Sequence, residues 1–249
     1  MLTSGLVSVT FRPFSREKVI GVMKKAALPL IEWGGDVHVP SADGEAVKHA
    51  AALCRNSGIR TVSYGSYYRC DGDEVLREND VKCAAALSAP NIRVWAGKKG
   101  SGDASAADRA EVCANIRKTC AAAAAYGMMV STEFHGGTLT DEYTSAVRLF
   151  EEAASDNFRL YWQPNQFRDE AYNLAALRAV LPYLSNVHVF TWSGHSRYPL
   201  RDGESLWRKY IDIIAADGKD HAMLLEFVCD DTEEQLYRDA ETLHSWGIL

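Results

Sequence analysis

The feature that most constrains the fold of this chain is a regular alternation of short β-rich segments with longer helical segments. The alternation occurs eight times in 249 residues. Most of the strand-like segments are apolar nearly throughout, which is typical of parallel strands that are covered on both faces. They comprise residues 5–11, 30–34, 59–65, 91–97, 128–134, 158–163, 186–192 and 222–228.

The intervening segments have helical spacing and recognisable ends. Ser15, Ser105 and Thr232 are typical N-terminal capping residues, and Gly58 is a typical C-terminal one. Eight βα units in about 250 residues predict an α/β fold, a single (β/α)8 TIM barrel that spans residues 1–249 as one domain. The alternative is a doubly wound open sheet, whose dinucleotide-binding form is disfavoured because the first βα turn lacks a GxGxxG motif.

Composition disfavours several classes of partner. The net charge of −6 and the pI of about 5.7 argue against binding to nucleic acid, whose affinity comes largely from Lys and Arg. No apolar run approaches the ~20 residues of a membrane helix, so no membrane partner is expected, and no signal peptide is apparent. None of the six cysteines forms a CxxC motif, which predicts a reduced protein in the cytoplasm.

Three polar residues lie inside otherwise apolar strand segments. They are Glu133, His188 and Glu226, and a charge at such a position is costly unless it is paired or bound to a metal. A single buried Glu is more simply explained by an ion pair. In a barrel, however, all three would meet at the C-terminal mouth, where active sites lie, and this favours a shared site.

Aromatic residues at the same strand ends predict a ligand pocket. Trp33, Trp95, Trp162 and Trp192 are all placed there. Any one of them could simply cap the barrel core, but together they indicate an aromatic-walled pocket with a few polar groups. The basic loop 97–103 could close over an anionic group or remain a solvated loop.

The chain resembles the sugar isomerase/epimerase superfamily built on the xylose-isomerase-like barrel, which includes ketose 3-epimerases, hydroxypyruvate isomerases and inosose dehydratases. The resemblance covers the whole chain through the order of strands and helices. It is sharpest in IEWGGDVH (31–38), EFHGGTLT (133–140), NVHVF (186–190) and LLEF (224–227).

The resemblance implies one divalent metal ion, Mn²⁺ or Mg²⁺ in preference to Zn²⁺, Co²⁺ or Fe²⁺. The ligands carried over from the family are Glu133, Gln163, His188 and Glu226. Gln163 departs from the family, which has Asp there, so we expect a weaker or more exchangeable ion. Gln166 replaces a frequent His, and Gly194 stands where epimerases have an Arg, a role that His195 or Arg197 could take.

The family chemistry implies a sugar isomerase or epimerase. Glu133 and Glu226 would exchange protons with the carbon beside a ketone, through an enediolate. Two alternatives stay open: a keto-polyol dehydratase on the same fold, and a sugar-binding barrel that has lost catalysis. The AP endonucleases, which share the fold, are disfavoured because they use a multi-metal site with many more ligands.

The expected partner is a small sugar or sugar derivative, and a homo-oligomer is possible because barrels of this family commonly pair. The resemblance adds Glu32, His38 and His135 to the residues expected at the pocket. The full set of expected substrate contacts is Glu32, Trp33, His38, Tyr64, Trp95, His135, Trp162, Asn165, Trp192 and Arg197.

Overall fold

Eight parallel strands close into a barrel surrounded by eight helices in the computed structural model, which describes residues 1–249. The barrel strands are β1 (Leu2–Val7), β2 (Leu30–Gly34), β3 (Arg60–Gly65), β4 (Asn91–Val94), β5 (Met129–Glu133), β6 (Phe158–Trp162), β7 (Leu184–Val189) and β10 (His221–Leu225). They neighbour one another in the order β1-β10-β7-β6-β5-β4-β3-β2, and the sheet is closed. The predicted (β/α)8 barrel is confirmed, and the open sheet is excluded.

The helices alternate with the strands as the sequence pattern predicts. They are α1 (Arg16–Lys25), α2 (Gly44–Ser57), α3 (Glu74–Ala86), α4 (Ala106–Ala124), α5 (Tyr143–Ala153), α6 (Glu170–Val180), α7 (Glu204–Ala215) and α8 (Glu233–Ser245). None of them is long and apolar enough to cross a lipid bilayer.

The helix ends follow the predicted capping residues. The hydroxyls of Ser15, Ser105 and Thr232 accept backbone N–H bonds at the starts of α1, α4 and α8. At the start of α5 the capping position is Glu142, and the preceding Asp141 does not cap the helix. The Asp141 carboxylate instead accepts a hydrogen bond from the backbone N–H of Ser101.

The first strand differs from its predicted bounds. Residues 5–11 were expected to form it, but β1 begins at Leu2 and ends at Val7, and Ser8–Phe11 form a turn of 3₁₀ helix. The apolar character continues through both elements, so it does not show where the strand stops. β1 approaches β2 too closely at Gly5 for a side chain, because a Cβ there would lie 2.4 Å from the Leu30 carbonyl oxygen.

The seventh strand also ends earlier than predicted. β7 stops at Val189, and the chain then forms an antiparallel hairpin of β8 (Thr191–Ser193) and β9 (Ser196–Tyr198). Gly194 lies in the turn of this hairpin with φ of 56°. Trp192 therefore belongs to a hairpin at the barrel mouth and not to the barrel wall.

Alternation along the strands decides which side chains face the barrel interior. Asn91, Ser131 and Ser185 of three strands are hydrogen bonded to one another inside it. Arg93 is in register with Ser131, so both face inwards, and Glu133 follows Ser131 by two residues on the same face. Arg93 and Glu133 thus lie inside the barrel, above the layer formed by Asn91, Ser131 and Ser185.

Candidate active site

A buried cluster of charged side chains forms the floor of the barrel mouth, with His188 at its centre. The His188 Nδ1 atom lies 3.0 Å from Gln163 Oε1, 3.4 Å from Glu226 Oε2 and 3.6 Å from Glu133 Oε1. His188 is fully buried, and both glutamates are nearly so. The structure therefore brings together all four residues that were expected to hold a metal.

Arg93 joins this cluster, and the sequence analysis missed it. Its guanidinium donates to Glu32 Oε1 at 2.8 Å and also pairs with the carboxylate of Glu133. All three side chains are buried. The signal in the sequence was a charged residue between the apolar neighbours Ile92 and Val94, which is the same signal that identified Glu133.

Glu32 lies behind the cluster, on the Nε2 side of His188. The His188 Nε2 atom is buried without a hydrogen-bond partner and lies 3.8 Å from Glu32 Oε1. In the metal-free protein Nδ1 donates to Gln163 Oε1, because an amide oxygen only accepts. Once a cation displaces that proton, the carboxylate beside Nε2 favours the tautomer with the proton on Nε2, which leaves the Nδ1 lone pair for the cation. Glu32 was expected to contact substrate, but it is fully buried and forms an ion pair with Arg93.

The donor atoms around His188 Nδ1 fit a divalent cation. Metal–ligand bonds of about 2.1 Å place neighbouring ligand atoms roughly 3.0–3.4 Å apart in octahedral or tetrahedral geometry. The distances of 3.0–3.6 Å from His188 Nδ1 match that spacing, and the ligand atoms of Glu133, His188 and Glu226 all lie within 4.8 Å of one another. With a neutral His188, three carboxylates and Arg93 leave the cluster with a charge of −2, which a divalent ion would neutralise.

The ionisation of the cluster in the metal-free protein reflects the same charge balance. Burial opposes a charge on His188, but the Glu226, Glu133 and Glu32 carboxylates outweigh it and raise the pKa of His188 to about 10. For Glu133 and Glu32, Arg93 and His188 outweigh burial, which holds the pKa of Glu133 well below its usual range and lowers the pKa of Glu32 to about 2. Burial raises the pKa of Glu226, which has no guanidinium partner.

Metal binding is expected to strengthen with pH. At pH 7 the metal-free protein keeps a proton on His188, because the pKa of that imidazole is about 10, and the ion must displace this proton. The apparent association constant for Mn²⁺ should therefore rise about tenfold per pH unit between pH 6 and 8. Calorimetry in buffers of different ionisation enthalpy measures the released proton. A His49→Asn variant, changed on α2 outside the cavity lining, should keep the same slope. A pH-independent association constant would contradict the prediction.

Gln163 offers a second test of this site. Its Oε1 atom faces His188 Nδ1 at 3.0 Å, so an Asp at this position would bring the charge of the cluster from −2 to −3. The Gln163→Asp variant is expected to bind Mn²⁺ about tenfold more tightly or better, since ligand charge tunes such sites. The matched control is Gln166→Asp, which adds the same charge to the cavity lining three residues away. Equal gains in both variants would mean that Gln163 is not at the ion.

A cavity of about 400 Å³ opens above this cluster. Glu133, Gln163 and Glu226 reach it from the floor. Of the expected substrate contacts, the cavity lining includes Trp95, His135, Asn165 and Trp192. The His135 ring lies 4.4 Å from the Trp95 ring, centroid to centroid, so the two side chains form one wall.

Three aromatic residues expected at the pocket face outwards instead. Trp33 donates to Cys54 Sγ of α2 at 3.3 Å, the Tyr64 hydroxyl donates to the Val39 carbonyl oxygen at 3.0 Å, and Trp162 packs edge-on against Tyr210 of α7. Each of the three directly neighbours an inward-facing residue, so strand alternation turns it towards the helices. The expectation that they contact substrate is corrected by this placement.

Two other expected contacts also lie outside the cavity. The buried ring of His38 is held by Ser8 Oγ at 3.0 Å and by the Phe14 carbonyl oxygen at 3.1 Å, which is a structural role. Arg197 pairs with Asp231 at 2.6 Å and stacks on Trp192, one layer behind the cavity wall. His195, the other candidate to replace the family arginine, lies beside Phe167 at 5.1 Å between ring centroids and does not line the cavity.

The basic loop 97–103 does not present free lysines. Lys98 pairs with Asp71 at 2.5 Å, and Lys99 pairs with Asp108 at 2.9 Å. Both lysines line a separate recess, away from the charged cluster. Their charges are thus neutralised within the loop region.

The cavity lining contains further residues that were not among the expected substrate contacts. Arg12, Tyr67 and Arg69 follow β1 and β3, and Phe227 follows Glu226 directly. Phe227 has φ of 49°, an uncommon value for an aromatic residue. The guanidinium carbons of Arg12 and Arg197 lie 5.3 and 5.2 Å from the centroid of its ring. Arg12, Tyr67 and Arg69 were visible in the sequence after the first and third strands, but only the closed barrel shows that they border the cavity.

Comparisons with known proteins agree with this architecture. A family model described as the xylose isomerase-like TIM barrel matches residues 22–245. Over 69 residues the chain is 39% identical to the 3-dehydroshikimate dehydratase of Bacillus anthracis. That match covers 28% of this chain and spans only a quarter, 25%, of the relative's length.

Several solved structures share the fold over nearly the whole chain. The probable 3-DHS dehydratase AsbF from Bacillus anthracis superimposes with a TM-score of 0.81 at 19% identity, covering 98% of this chain and 99% of that one. A barrel protein from Mycobacterium smegmatis in complex with magnesium gives a TM-score of 0.76 at 14% identity, with 95% and 90% covered. D-allulose 3-epimerase from Methylomonas sp., in complex with D-allulose, gives 0.75 at 14% identity, with 98% and 96% covered. At these identities the likeness shows the shared fold alone.

Proposed function

The chain belongs to the xylose isomerase-like TIM barrel family, and on that premise we propose that it is a metal-dependent lyase that removes water from a hydroxylated ketone. Relatives on this fold are named as epimerases and as a dehydratase. The observation that carries the choice between them is the inequality of the two carboxylates at the cavity floor. Glu133 is paired with a buried guanidinium, whereas Glu226 is not.

Inversion by two carboxylates needs both of them to exchange a proton with the substrate. Glu133 is unsuited to this role because Arg93 occupies one of its oxygens and holds the pKa of its carboxyl well below the usual range. Elimination needs only one base near the α-carbon. The asymmetry of the floor therefore favours elimination over epimerisation.

His135 is the base in this proposal. Its Nδ1 lies 2.7 Å from the Gly136 carbonyl oxygen and must donate a proton to it, so the other ring nitrogen, Nε2, carries the lone pair in the neutral ring. The ring borders the cavity and is supported by Trp95. These contacts fix both the position of the imidazole and its tautomer.

In the proposed reaction His135 acts twice, first as the base and then as the acid. His135 Nε2 takes the proton from the carbon beside the ketone, and the C–H electron pair moves towards the carbonyl. The C–O bond at the next carbon then breaks, and the proton on His135 passes to the departing hydroxyl, so that water leaves and a C=C bond remains. Glu133, Gln163, His188 and Glu226 would hold the divalent ion. When bound, that ion supplies electrophilic stabilisation of the charge that develops on the carbonyl oxygen.

The test uses two ketones and one NMR readout. Metal-loaded protein is incubated in D₂O with 3-dehydroshikimate or with D-allulose, the compounds named for the relatives. We expect loss of water from the first and no epimer of the second, and we expect His135→Asn to abolish the loss of water. An intact 3-dehydroshikimate that binds without deuterium exchange would overturn the lyase proposal in favour of a binding barrel.

A sugar isomerase or epimerase remains the second candidate, because Glu133 and Glu226 both border the same cavity. In that case the two carboxylates would serve opposite sides of one carbon. Formation of the C3 epimer of D-allulose with no loss of water from 3-dehydroshikimate would favour it.

A further inference from the structure

Three guanidinium groups border the cavity, and they differ in how far the protein already neutralises them. Arg93 is shared between Glu32 and Glu133. Arg12 pairs with Asp36 at 2.7 Å and also donates to the Tyr67 hydroxyl at 2.9 Å. Both groups are therefore committed to acceptors of the protein itself.

Arg69 is different, since its side chain makes no hydrogen bond and has no carboxylate within 4.0 Å. Its guanidinium carbon lies 4.4 Å from the centroid of the Trp95 ring, and the residue borders the cavity. Stacking on an indole holds a guanidinium by its face and leaves the N–H donors along its edge free. The cavity wall therefore presents a fixed, uncompensated cation.

The other charged groups of the wall do not neutralise Arg69. The Asp141 carboxylate borders the same cavity but accepts hydrogen bonds from the Ser101 backbone N–H at 3.0 and 3.2 Å. No lysine borders the cavity. A ligand group bound at Arg69 thus meets one unpaired guanidinium, whose N–H donors point outwards in a planar fork.

We infer that the substrate carries a carboxylate group and that the guanidinium of Arg69, stacked on Trp95, binds it. A carboxylate matches a single guanidinium in both charge and shape, because two parallel N–H···O bonds can form. A phosphate dianion would keep part of its charge uncompensated there. The inference rests on the proposed function in one respect: the same molecule must place its ketone at the charged floor.

The cavity size is compatible with such a molecule. A volume of about 400 Å³ holds about a dozen non-hydrogen atoms, at roughly 30 Å³ for each water-sized unit. That is enough for a six-membered hydroxylated ring with one carboxylate. The aromatic wall of Trp95 and His135 would pack against the ring.

The experiment measures binding by calorimetry on the metal-free full chain, so that the proposed metal-dependent reaction does not consume 3-dehydroshikimate. The probes are 3-dehydroshikimate and benzoate, each compared with its neutral methyl ester. The variants are Arg69→Met, which keeps an apolar stem on Trp95, and Arg69→Lys, which keeps the charge and loses the fork. The control is Arg178→Met, which removes one exposed positive charge from α6.

Wild type is expected to bind at least one of the two carboxylates at least about tenfold more tightly than its ester. Arg69→Met should weaken carboxylate binding by about tenfold to a hundredfold and leave ester binding nearly unchanged. The carboxylate affinity of Arg69→Lys should lie between those of wild type and Arg69→Met. The affinities of Arg178→Met should match those of wild type. Equal losses for acid and ester, or no binding of either carboxylate at millimolar concentration, would overturn the inference.

The outcome separates this inference from the proposed reaction. If wild type prefers the carboxylate through Arg69 but removes no water from 3-dehydroshikimate, the lyase proposal fails and the carboxylate site stands. If wild type removes water and Arg69→Met still binds the carboxylate in preference to its ester, the carboxylate site at Arg69 fails and the lyase proposal stands.

Discussion

Replacing Glu226 by Gln is expected to lower kcat by on the order of 10³-fold or more, while the protein stays folded. The change removes one of two carboxylates that face His188 Nδ1 and takes the charge of the cluster from −2 to −1. A divalent ion would then bind weakly, and its electrophilic effect on a ketone would be lost. The measurement is steady-state turnover of 3-dehydroshikimate at saturating Mn²⁺.

The stability of the same variant separates lost chemistry from lost structure. The pKa of Glu226 is raised in the folded protein, so the ionised carboxyl costs stability once the pH exceeds its ordinary unfolded value. An amide does not ionise and avoids that cost at pH 7. The free energy of unfolding in urea of the metal-free variant should therefore lie within about 1 kcal/mol of the wild-type value, or above it.

The matched control is Glu241→Gln, the same substitution on the exposed side of α8. It should leave both turnover and Mn²⁺ affinity unchanged. If Glu226→Gln kept more than about a tenth of wild-type turnover, Glu226 would be neither a metal ligand nor part of the reaction.

Replacing Arg93 by Met is expected to cost about 3–5 kcal/mol of unfolding free energy at pH 7. The guanidinium pairs with Glu32 and Glu133, and all three side chains are buried, so its removal leaves two carboxylates without their main counter-charge. Urea unfolding of the metal-free protein measures the loss. The comparison variant is Arg148→Met, which breaks an exposed pair with Glu152 and should cost less than about 1 kcal/mol.

A fall in pH should narrow the difference in unfolding free energy between Arg93→Met and wild type. The pKa of Glu32 is lowered to about 2 by its partners, so the stability from this pair is present above the ordinary carboxyl pKa and is lost as pH falls towards 2. A double variant, Arg93→Met with Glu32→Gln, removes one uncompensated charge and should recover part of the loss. A constant difference from pH 7 to pH 3, with no recovery in the double variant, would show that Arg93 acts through packing alone.

Much of the site is recognisable at the strand ends of the sequence, because a charge inside an apolar strand is a local feature of the chain. Glu133, His188 and Glu226 were recognisable as polar residues inside apolar strands, and the barrel places them around one point. Arg93 satisfies the same criterion, but it lies one residue before the end of β4. Its importance follows from pairing with Glu32, 61 residues away in the chain, which no local pattern shows.

The aromatic residues show where the prediction stops working. Trp95 and Trp192 border the cavity, whereas Trp33 and Trp162 are fully buried on the helix side. All four stand at similar places in similar sequence segments. In a parallel barrel both faces of a strand are apolar, so hydrophobicity does not reveal which alternate residues point inwards.

The alternation of eight strands and eight helices follows from the sequence pattern alone, and with it the barrel and the strand ends at which a site would form. The same holds for the residues that could hold a cation, because carboxylates and an imidazole in apolar strands have few other stable environments. The folded barrel is needed to show which face each side chain takes, that Arg93 pairs with Glu133 and not with Glu226, and that Arg69 stays unpaired on Trp95. Strand register and charge pairing depend on contacts between segments far apart in the chain, and no local pattern contains them.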